Sequence, residues 1–562
     1  MTHTEGIPVG TPRIMPATPS AHAYPLLLKH LLDAALHSSP GQEVVYRNLV
    51  RHDYRMLARR TARLADGLTG LGVRAGDTVG VLEWDSHRYL ECYFAIPGMG
   101  AVLHTVNIRL SPEQILYTIN HAQDDVLLVN ADFLPMLETI WSRVEGVRTV
   151  ILMSDDGAPL SAHPLVADEY EALLARSSPD YRFPDFDENA IATTFYTTGT
   201  TGLPKGVFFS HRQLVLHTLG GAAALCSPAG HGRLARGDVY MPITPMFHVH
   251  AWGLPLIATM LGLKQVYPGR YEPGVLLGLI EREEVTFSHC VSTLLHMLLS
   301  HPDGEKIDLS SWKVVIGGGA LQKGLASAAL ARGIDAFAGY GMSETGPIIT
   351  IANAGDALEP GKCSPRELEL RTRTGFPVPM VELRVVDEAM RDVARDGRSA
   401  GEIVVRSPWL TPGYLGDEAG SEALWRDGWL HTNDIGVLHP DGSLQITDRL
   451  KDVIKSGGEW VASLEIEDLI SQLDGVSEVA VIGVPDPKWG ERPMAIVVPA
   501  KNRPDSVSEE EIRAHLGAFA AQGLISRYAV PKTIIFADAL AKTSVGKPDK
   551  KALRLRFAVD VR

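Results

Sequence analysis

The segment Tyr196-Thr197-Thr198-Gly199-Thr200-Thr201-Gly202-Leu203-Pro204-Lys205-Gly206 is the most informative in the chain. It holds four threonines, three glycines and one lysine, and a proline stiffens its end. Glycines let backbone N–H groups approach an anion closely, and the hydroxyls and Lys205 add donors and charge. That set suits a polyphosphate. No Gly-Lys-Ser/Thr triplet closes the segment, so it is not a Walker A loop. A nucleotide triphosphate is the expected ligand, held in another way than in a P-loop NTPase. The alternative is a polar turn between two strands, but turns seldom carry this order and density of hydroxyls.

The rest of the chain sets bounds. Its 562 residues are too many for one core and fit three or four units of ordinary size. Lys and Arg number 53 against 67 Asp and Glu, a net charge of −14 that does not suggest a nucleic-acid surface. The four cysteines, Cys92, Cys226, Cys290 and Cys363, are scattered and form no Cys-x-x-Cys pair, which fits a reducing cytoplasm better than a disulfide framework or zinc site. The first residues lack the basic and then apolar pattern of a signal peptide. The longest apolar stretch, Ala251 to Leu263, is too short for a membrane span and is broken by Gly253 and Pro255.

Residues 1–24, rich in Pro, Thr and Ala, are expected to form a loose arm. Tyr54 to Gly72 reads as a helix, with Leu57, Leu64, Leu68 and Leu71 on one face. Strands are expected at Thr78–Leu82, Val126–Val129, Val150–Met153 and Val314–Ile316, with helices such as Pro112–Ala122 between them. That alternation argues for α/β layers. From about Val378 to 450 the pattern becomes that of a smaller β unit, with alternating strands at Val381–Val386 and Gly401–Arg406 and a short strand at Gly442–Asp448. The charged residues and paired glycines of Arg449–Glu459 read as a joint. Beyond it, helices at Ser463–Leu473 and Glu509–Ala520 and strands at Val479–Gly483 and Met494–Val498 make a small α+β domain. The fold class is α/β: a large domain over 25–450 of layered α/β subdomains with a small β unit, then a smaller α+β domain over 451–562.

Four further motifs join the threonine/glycine segment. They are Pro245-Met-Phe-His-Val-His-Ala-Trp-Gly253, Gly339-Tyr-Gly-Met-Ser-Glu-Thr-Gly346, Trp429-Leu-His-Thr-Asn-Asp-Ile-Gly436 with Asp448-Arg-Leu-Lys-Asp452, and Lys542-Thr-Ser-Val-Gly-Lys547. In this order and spacing the chain resembles the adenylate-forming enzymes, above all the bacterial medium- and long-chain fatty acyl-CoA ligases, from about Val45 to Arg554.

The resemblance implies an ATP-dependent acid–CoA ligase. A carboxylate attacks the α-phosphorus of ATP to give acyl-AMP and pyrophosphate, and the CoA thiol then displaces AMP. The first step brings an anion against a polyanion and needs positive charge and Mg²⁺. Thr197, Thr198, Gly199, Thr200, Thr201, Gly202 and Lys205 are implied at the phosphates. Glu344 is the implied Mg²⁺ carboxylate, with Thr197, or else Thr200, completing the site; Mg²⁺ takes few protein oxygens. Tyr340, with Gly339, Gly341 and Thr345, is implied at the adenine, with Gly318, Gly319 and Ala320 as its other wall. Asp434 is the implied ribose ligand and Arg449 a second ribose or phosphate contact. His248 is implied where the carboxylate meets the α-phosphate, and Trp252 as a gate on the acyl tunnel. Lys547 is implied as the lysine that bridges carboxylate and α-phosphate during adenylation only. The small domain then rotates about Lys451, bringing Ser456, Gly457, Gly458, Glu459 and Trp460 to the site to line a passage for CoA. Related enzymes are cytoplasmic and often homodimers.

The chain departs from the family's usual wording at several points. It reads Gly319-Ala320-Leu321-Gln322 for Ser-Ala-Ala-Pro, Ala338 for Gln, Thr-Asn-Asp for Thr-Gly-Asp, and carries Pro548 after Lys547. The stretch Phe287-Ser-His-Cys-Val-Ser-Thr293 is expected to border the acyl tunnel, and where relatives have Gly-Val-Pro-Thr it reads Cys290-Val291-Ser292-Thr293. Cysteine for glycine narrows the space and Ser292 adds a hydroxyl. The expected acid is therefore a medium-chain fatty or related acid, with a short thioether or aryl acid, or transfer to a carrier protein instead of CoA, as the alternatives.

Overall fold

A computed structural model of the chain describes residues 13–155, 163–197, 203–227, 233–355, 364–456, 459–500, 507–543 and 547–557, with the backbone alone at 459 and 460. Four sheets organise them. The first has seven strands in the order Asp168–Glu169, Thr149–Met153, Asp124–Asn130, Thr78–Leu82, Val102–Thr105, Ile191–Tyr196 and Gly206–Ser210. All of its pairings are parallel except the last. Strands such as Thr78–Leu82 are buried on both faces, so they read as unbroken apolar runs rather than alternating ones.

The second sheet has nine strands, running from Phe376–Pro377 and Ile348–Ile351 through Asp335–Gly341, Lys313–Ile316, Phe287–Cys290, Val239–Ile243 and Lys264–Tyr267 to Glu43–Tyr46 and Val50–Asp53. Its interior is parallel and its two ends antiparallel. The N-terminal hairpin thus pairs some two hundred residues away, a partnership that local pattern reading did not contain. From Leu26 onward the chain is tied down: the Leu26 N–H donates to Glu188 at 2.8 Å, and the Lys29 amine sits 2.6 Å from Asp185.

The third sheet is the antiparallel β unit of Glu382–Val386, Gly401–Arg406, Trp425–Arg426, Trp429–Leu438 and Leu444–Arg449. The fourth, of Ile454–Ser456, Glu459–Val461, Val476–Asp486, Gly490–Pro499 and Thr533–Phe536, has its own core with the helices Ser463–Ser471 and Glu509–Ala521. The helix ends follow local chemistry. Ser111 with Gln114, Ser210 with Gln213 and Ser508 with Glu511 each form a capping box, and the Asp53 side chain caps Tyr54–Gly70.

The apolar run from Ala251 is not one helix. Val249, His250, Ala251 and Trp252 all have φ between 47 and 59°, and Gly253 follows at 73°, a left-handed turn before the right-handed helix Leu254–Leu261. Left-handed backbone is unfavourable for residues with a Cβ, so surrounding packing must hold this turn. His250 is enclosed by Tyr93, Phe195 and Phe209, with ring centroids 5.8, 5.3 and 6.5 Å away.

Trp409 anchors the β unit to the large sheets. It is fully buried, meets the His217 ring edge-on at 5.8 Å, and lies so close to Gly220 that a Cβ there would come within 2.8 Å of its indole. Trp409→Ala is expected to destabilise the large unit by about 3–5 kcal/mol, read as a lower midpoint in chemical denaturation. An unchanged midpoint would contradict this packing role.

Candidate active site

The site gathers at the carboxyl ends of strands, where open α/β sheets bind ligands. Thr197 follows Ile191–Tyr196, His248 follows Val239–Ile243, Val291 follows Phe287–Cys290, Gly317 follows Lys313–Ile316, and Tyr340 and Gly341 end Asp335–Gly341.

The polyphosphate segment is a hairpin closed at its base: Tyr196 pairs with Gly206, and the Thr197 N–H donates to the Lys205 carbonyl at 2.9 Å. Thr198, Gly199, Thr200, Thr201 and Gly202 lie outside the described residues. Lys205 sits 4.3 Å above the Tyr414 ring and 3.3 Å from Asp417. The Tyr414 hydroxyl donates to Glu344 at 2.7 Å. Lys205 and Glu344 are thus linked through Tyr414, a residue the sequence reading missed. Nothing in its local sequence marks it, since its role depends on the pairing of Tyr414 with Val207 across the fold.

Glu344 is buried, and desolvation raises its pKa against the opposing pull of the Tyr414 hydroxyl and Lys205. A buried carboxylate in this state favours a cation. Among the described residues no cluster of three or more His, Cys, Asp or Glu could hold a metal ion. The donor set nevertheless fits Mg²⁺, which keeps waters and phosphate oxygens and needs few protein ligands. Glu344 is the residue that would hold it, with the hydroxyl of Thr197, or else of Thr200, as the expected second ligand.

Tyr340 and Arg449 flank Asp434. The Tyr340 hydroxyl donates to Asp434 Oδ2 at 2.7 Å, and Arg449 Nε lies 3.5 Å from Oδ1. Asp434 and Arg449 are direct partners on adjacent strands, which explains how motifs fifteen residues apart reach one point. Thr345 is different. It is fully buried, and its hydroxyl accepts from the Met342 N–H at 2.9 Å and donates back to Met342 and Pro347 carbonyls, so it closes its own turn.

The glycines beyond Ile316 serve side chains. A Cβ on Gly317 would come within 2.9 Å of the Trp252 indole, and one on Gly318 within 2.9 Å of Lys547 Cε. Gly319 has nothing within 4 Å of such a Cβ. The expected adenine wall therefore also lies against Trp252 and Lys547.

Lys547 reaches this cleft from the small unit. Its backbone N–H donates to the Thr543 hydroxyl at 3.2 Å, and its carbonyl accepts from the Thr543 N–H at 2.7 Å. Burial and the nearby Arg449 charge pull its pKa down to about 8, while Asp434 and Glu344 oppose that shift. Three other cations of this basic tail pair within their own unit: Lys542 with Glu478 at 3.0 Å, Lys550 with Glu467 at 2.8 Å and Arg554 with Asp452 at 2.8 Å. The tail is thus not one solvated face.

His248 stands just before the left-handed turn. Burial, then the charges of Lys547 and Arg109, push its pKa down to about 3. The imidazole is neutral at physiological pH and can act by hydrogen bonding, not as a cation.

At the acyl border the structure sorts the expected residues by direction. Side chains alternate along Phe287–Cys290. His289, not Cys290, lies against Trp252, with ring centroids 4.9 Å apart. Cys290 faces the opposite side and packs in the core of the nine-stranded sheet. The Ser292 hydroxyl donates to the Ala320 carbonyl at 2.6 Å and ties two loops together. Val291 and Trp252 belong to the same buried apolar cluster.

At the joint, Leu450 N–H donates to Asn433 at 2.9 Å, and Asp452 and Val453 fold back on the Arg449 carbonyl, so Lys451 sits in a turn between the third and fourth sheets. Ser456 is buried and pairs with Gly490 inside the fourth sheet. Gly457 and Gly458 lie outside the described residues, as do the side chains of Glu459 and Trp460, whose backbones continue the hairpin.

Comparison with known proteins agrees with this arrangement. The profile described as AMP-binding enzyme matches residues 32–415, and that described as AMP-binding enzyme C-terminal domain matches 465–547. The chain is 41% identical over 510 residues to a long-chain-fatty-acid–CoA ligase of Thermus thermophilus, covering 90% of each chain. It is 37% identical over 541 residues to a 3-methylmercaptopropionyl-CoA ligase of Ruegeria lacuscaerulensis, covering 95% of this chain and 97% of that one. Its fold matches that of the anthranilate CoA ligase AuaEII in complex with anthranoyl-AMP, with a TM-score of 0.81 at 24% identity over 94% of this chain and 97% of the other. The chain belongs to the AMP-binding enzyme family.

Proposed function

We propose that the chain joins a carboxylic acid to CoA in two steps at one cleft. The convergence of Lys547 with Arg449, Asp434 and Glu344 carries this reading. In the first step a carboxylate oxygen attacks the α-phosphorus of ATP and the bond to pyrophosphate breaks. In the second the CoA sulfur attacks the acyl carbon and AMP leaves. Little covalent chemistry falls to the protein; its work is positioning and charge stabilisation.

Lys547 as an ammonium draws the carboxylate and the α-phosphate together. Neutral His248 donates a hydrogen bond at the same junction without adding a charge. Asp434, held by the Tyr340 hydroxyl, accepts from the ribose hydroxyls, and Arg449 steadies ribose or phosphate. Lys205, with the loop of Thr197 to Gly202, holds the β- and γ-phosphates. Bound Mg²⁺ neutralises charge developing on the phosphates. Lys451 is the hinge that withdraws Lys547 after adenylation and brings the Ser456 hairpin to the cleft. Conversion between two domain orientations requires a few residues that absorb a large φ/ψ change, and Lys451 occupies that position.

For the acid, His289 replaces Cys290 as the residue of interest. Its ring is fully buried against Trp252, so an imidazole packs behind the indole at the expected acyl border. That supports a medium-chain or more polar acid, such as a thioether or aryl acid, over a long alkyl chain, for which each buried methylene contributes about 0.8 kcal/mol.

Three outcomes follow. In a CoA-thioester assay across a homologous acid series, turnover is expected to peak below the long-chain range; a maximum at about sixteen carbons would contradict the pocket reading, since length is read by tunnel depth. Lys451→Pro is expected to impair one half-reaction far more than the other, and equal losses in pyrophosphate exchange and thioester formation would sink the hinge. The kcat/KM for adenylation is expected to fall as pH rises through about 8, because Lys547 is fully charged only below that value. Lys547→Arg keeps its charge throughout, so the alkaline fall should vanish whatever the absolute rate. A fall that persists in this variant would assign the titration elsewhere.

A further inference from the structure

The helix Lys323–Ala331 follows the loop that carries Gly317 and Gly318, and its N-cap residue, Gln322, makes no side-chain capping bond. The first N–H groups of a helix need an acceptor, and its N-terminus favours negative charge. Here the acceptor comes from the other unit. The Lys323 N–H donates to Asp468 Oδ1 at 2.8 Å, and the Lys323 amine lies 3.5 Å from Oδ2. Asp468 belongs to the helix Ser463–Ser471 of the small unit, whose last residue also makes contact. A Cβ on Gly324 would run into the Ser471 carbonyl. The negative end of one helix therefore abuts the positive end of the other.

Gly324 has no left-handed φ, so its own backbone does not call for glycine. Glycine weakens a helix by about 1 kcal/mol relative to alanine, and the approach of Ser471 is what requires it here. A second contact lies alongside: His296 Nε2 and the Ser477 hydroxyl are 2.9 Å apart. The same small-unit elements hold the loop of Lys547, through Lys542 with Glu478 at 3.0 Å and Lys550 with Glu467 at 2.8 Å.

We propose that this seam of Gly324, Lys323–Asp468 and His296–Ser477 positions Lys547 for adenylation and is broken for thioester formation. These are positioning residues, because they act only through where they hold Lys547. The inference rests on the two-step reading above. Asp468 caps the large unit's helix only in the docked orientation, so the seam stabilises one orientation without touching substrate. Enlarging Gly324 or removing the Asp468 charge then biases the enzyme away from its first step.

The test separates the two half-reactions in the full-length protein. Acid-dependent ATP–pyrophosphate exchange reports the first, and thioester formation from supplied acyl-AMP and CoA reports the second. Gly324→Val and Asp468→Ala are each expected to slow exchange by about tenfold, the scale of a lost helix cap. Thioester formation should hold or rise. Equal loss of both half-reactions, or no change in either, overturns the seam. Should Gly324→Val fail to fold in a thermal melt, the half-buried variant Asp468→Ala decides alone. Absence of acid-dependent exchange in the unaltered enzyme would instead overturn the two-step reading itself.

Discussion

A lysine taken out of water needs anions, and the cleft supplies two. Lys547 is drawn into a site shared with Asp434 and Glu344, while Arg449 works against its charge. Burying an ammonium costs several kcal/mol unless paired charges offset it. Each carboxylate is in turn held by a tyrosine: Tyr340 donates to Asp434 and Tyr414 to Glu344. These groups come from strands and loops of the second and third sheets and from the small unit, so the site exists only when all are docked. Substrate phosphates would change the balance, adding negative charge where Arg449 and Lys547 now repel each other.

Much of this was legible in the sequence because it is local. The helix at Pro112–Ala122 and the strands at Thr78–Leu82 and Gly401–Arg406 coincide with their expected spans, since capping boxes and apolar runs set them residue by residue. Asp434, Arg449, Tyr340 and Lys547 were legible as motifs, and the structure brings them to one cleft. What was not legible depends on long-range pairing. Tyr414 reaches Glu344 because its loop pairs across to Val207, and Glu43–Tyr46 joins a sheet built mainly from much later residues. Strand alternation likewise turns Cys290 away from the gate and His289 toward it, a reversal that follows from a one-residue phase.

The left-handed turn from Val249 to Gly253 gives the gate motif its meaning. It carries the chain from His248 to Trp252 by a path that ordinary helical geometry would not follow. Trp252 thereby lies against Gly317 on one side and His289 on the other. Gly317, Trp252 and His289 are thus one contiguous packed piece.

The central claim is that Lys547 serves one half-reaction and is withdrawn for the other. Its most direct test is single-turnover conversion of supplied acyl-AMP and CoA to thioester by Lys547→Ala, set beside adenylate formation from acid and ATP. The account predicts that adenylate formation drops by about 10²–10³, the scale of a lost charge-stabilising donor, while thioester formation proceeds at the rate of the unaltered enzyme. A comparable loss in both reactions would contradict it.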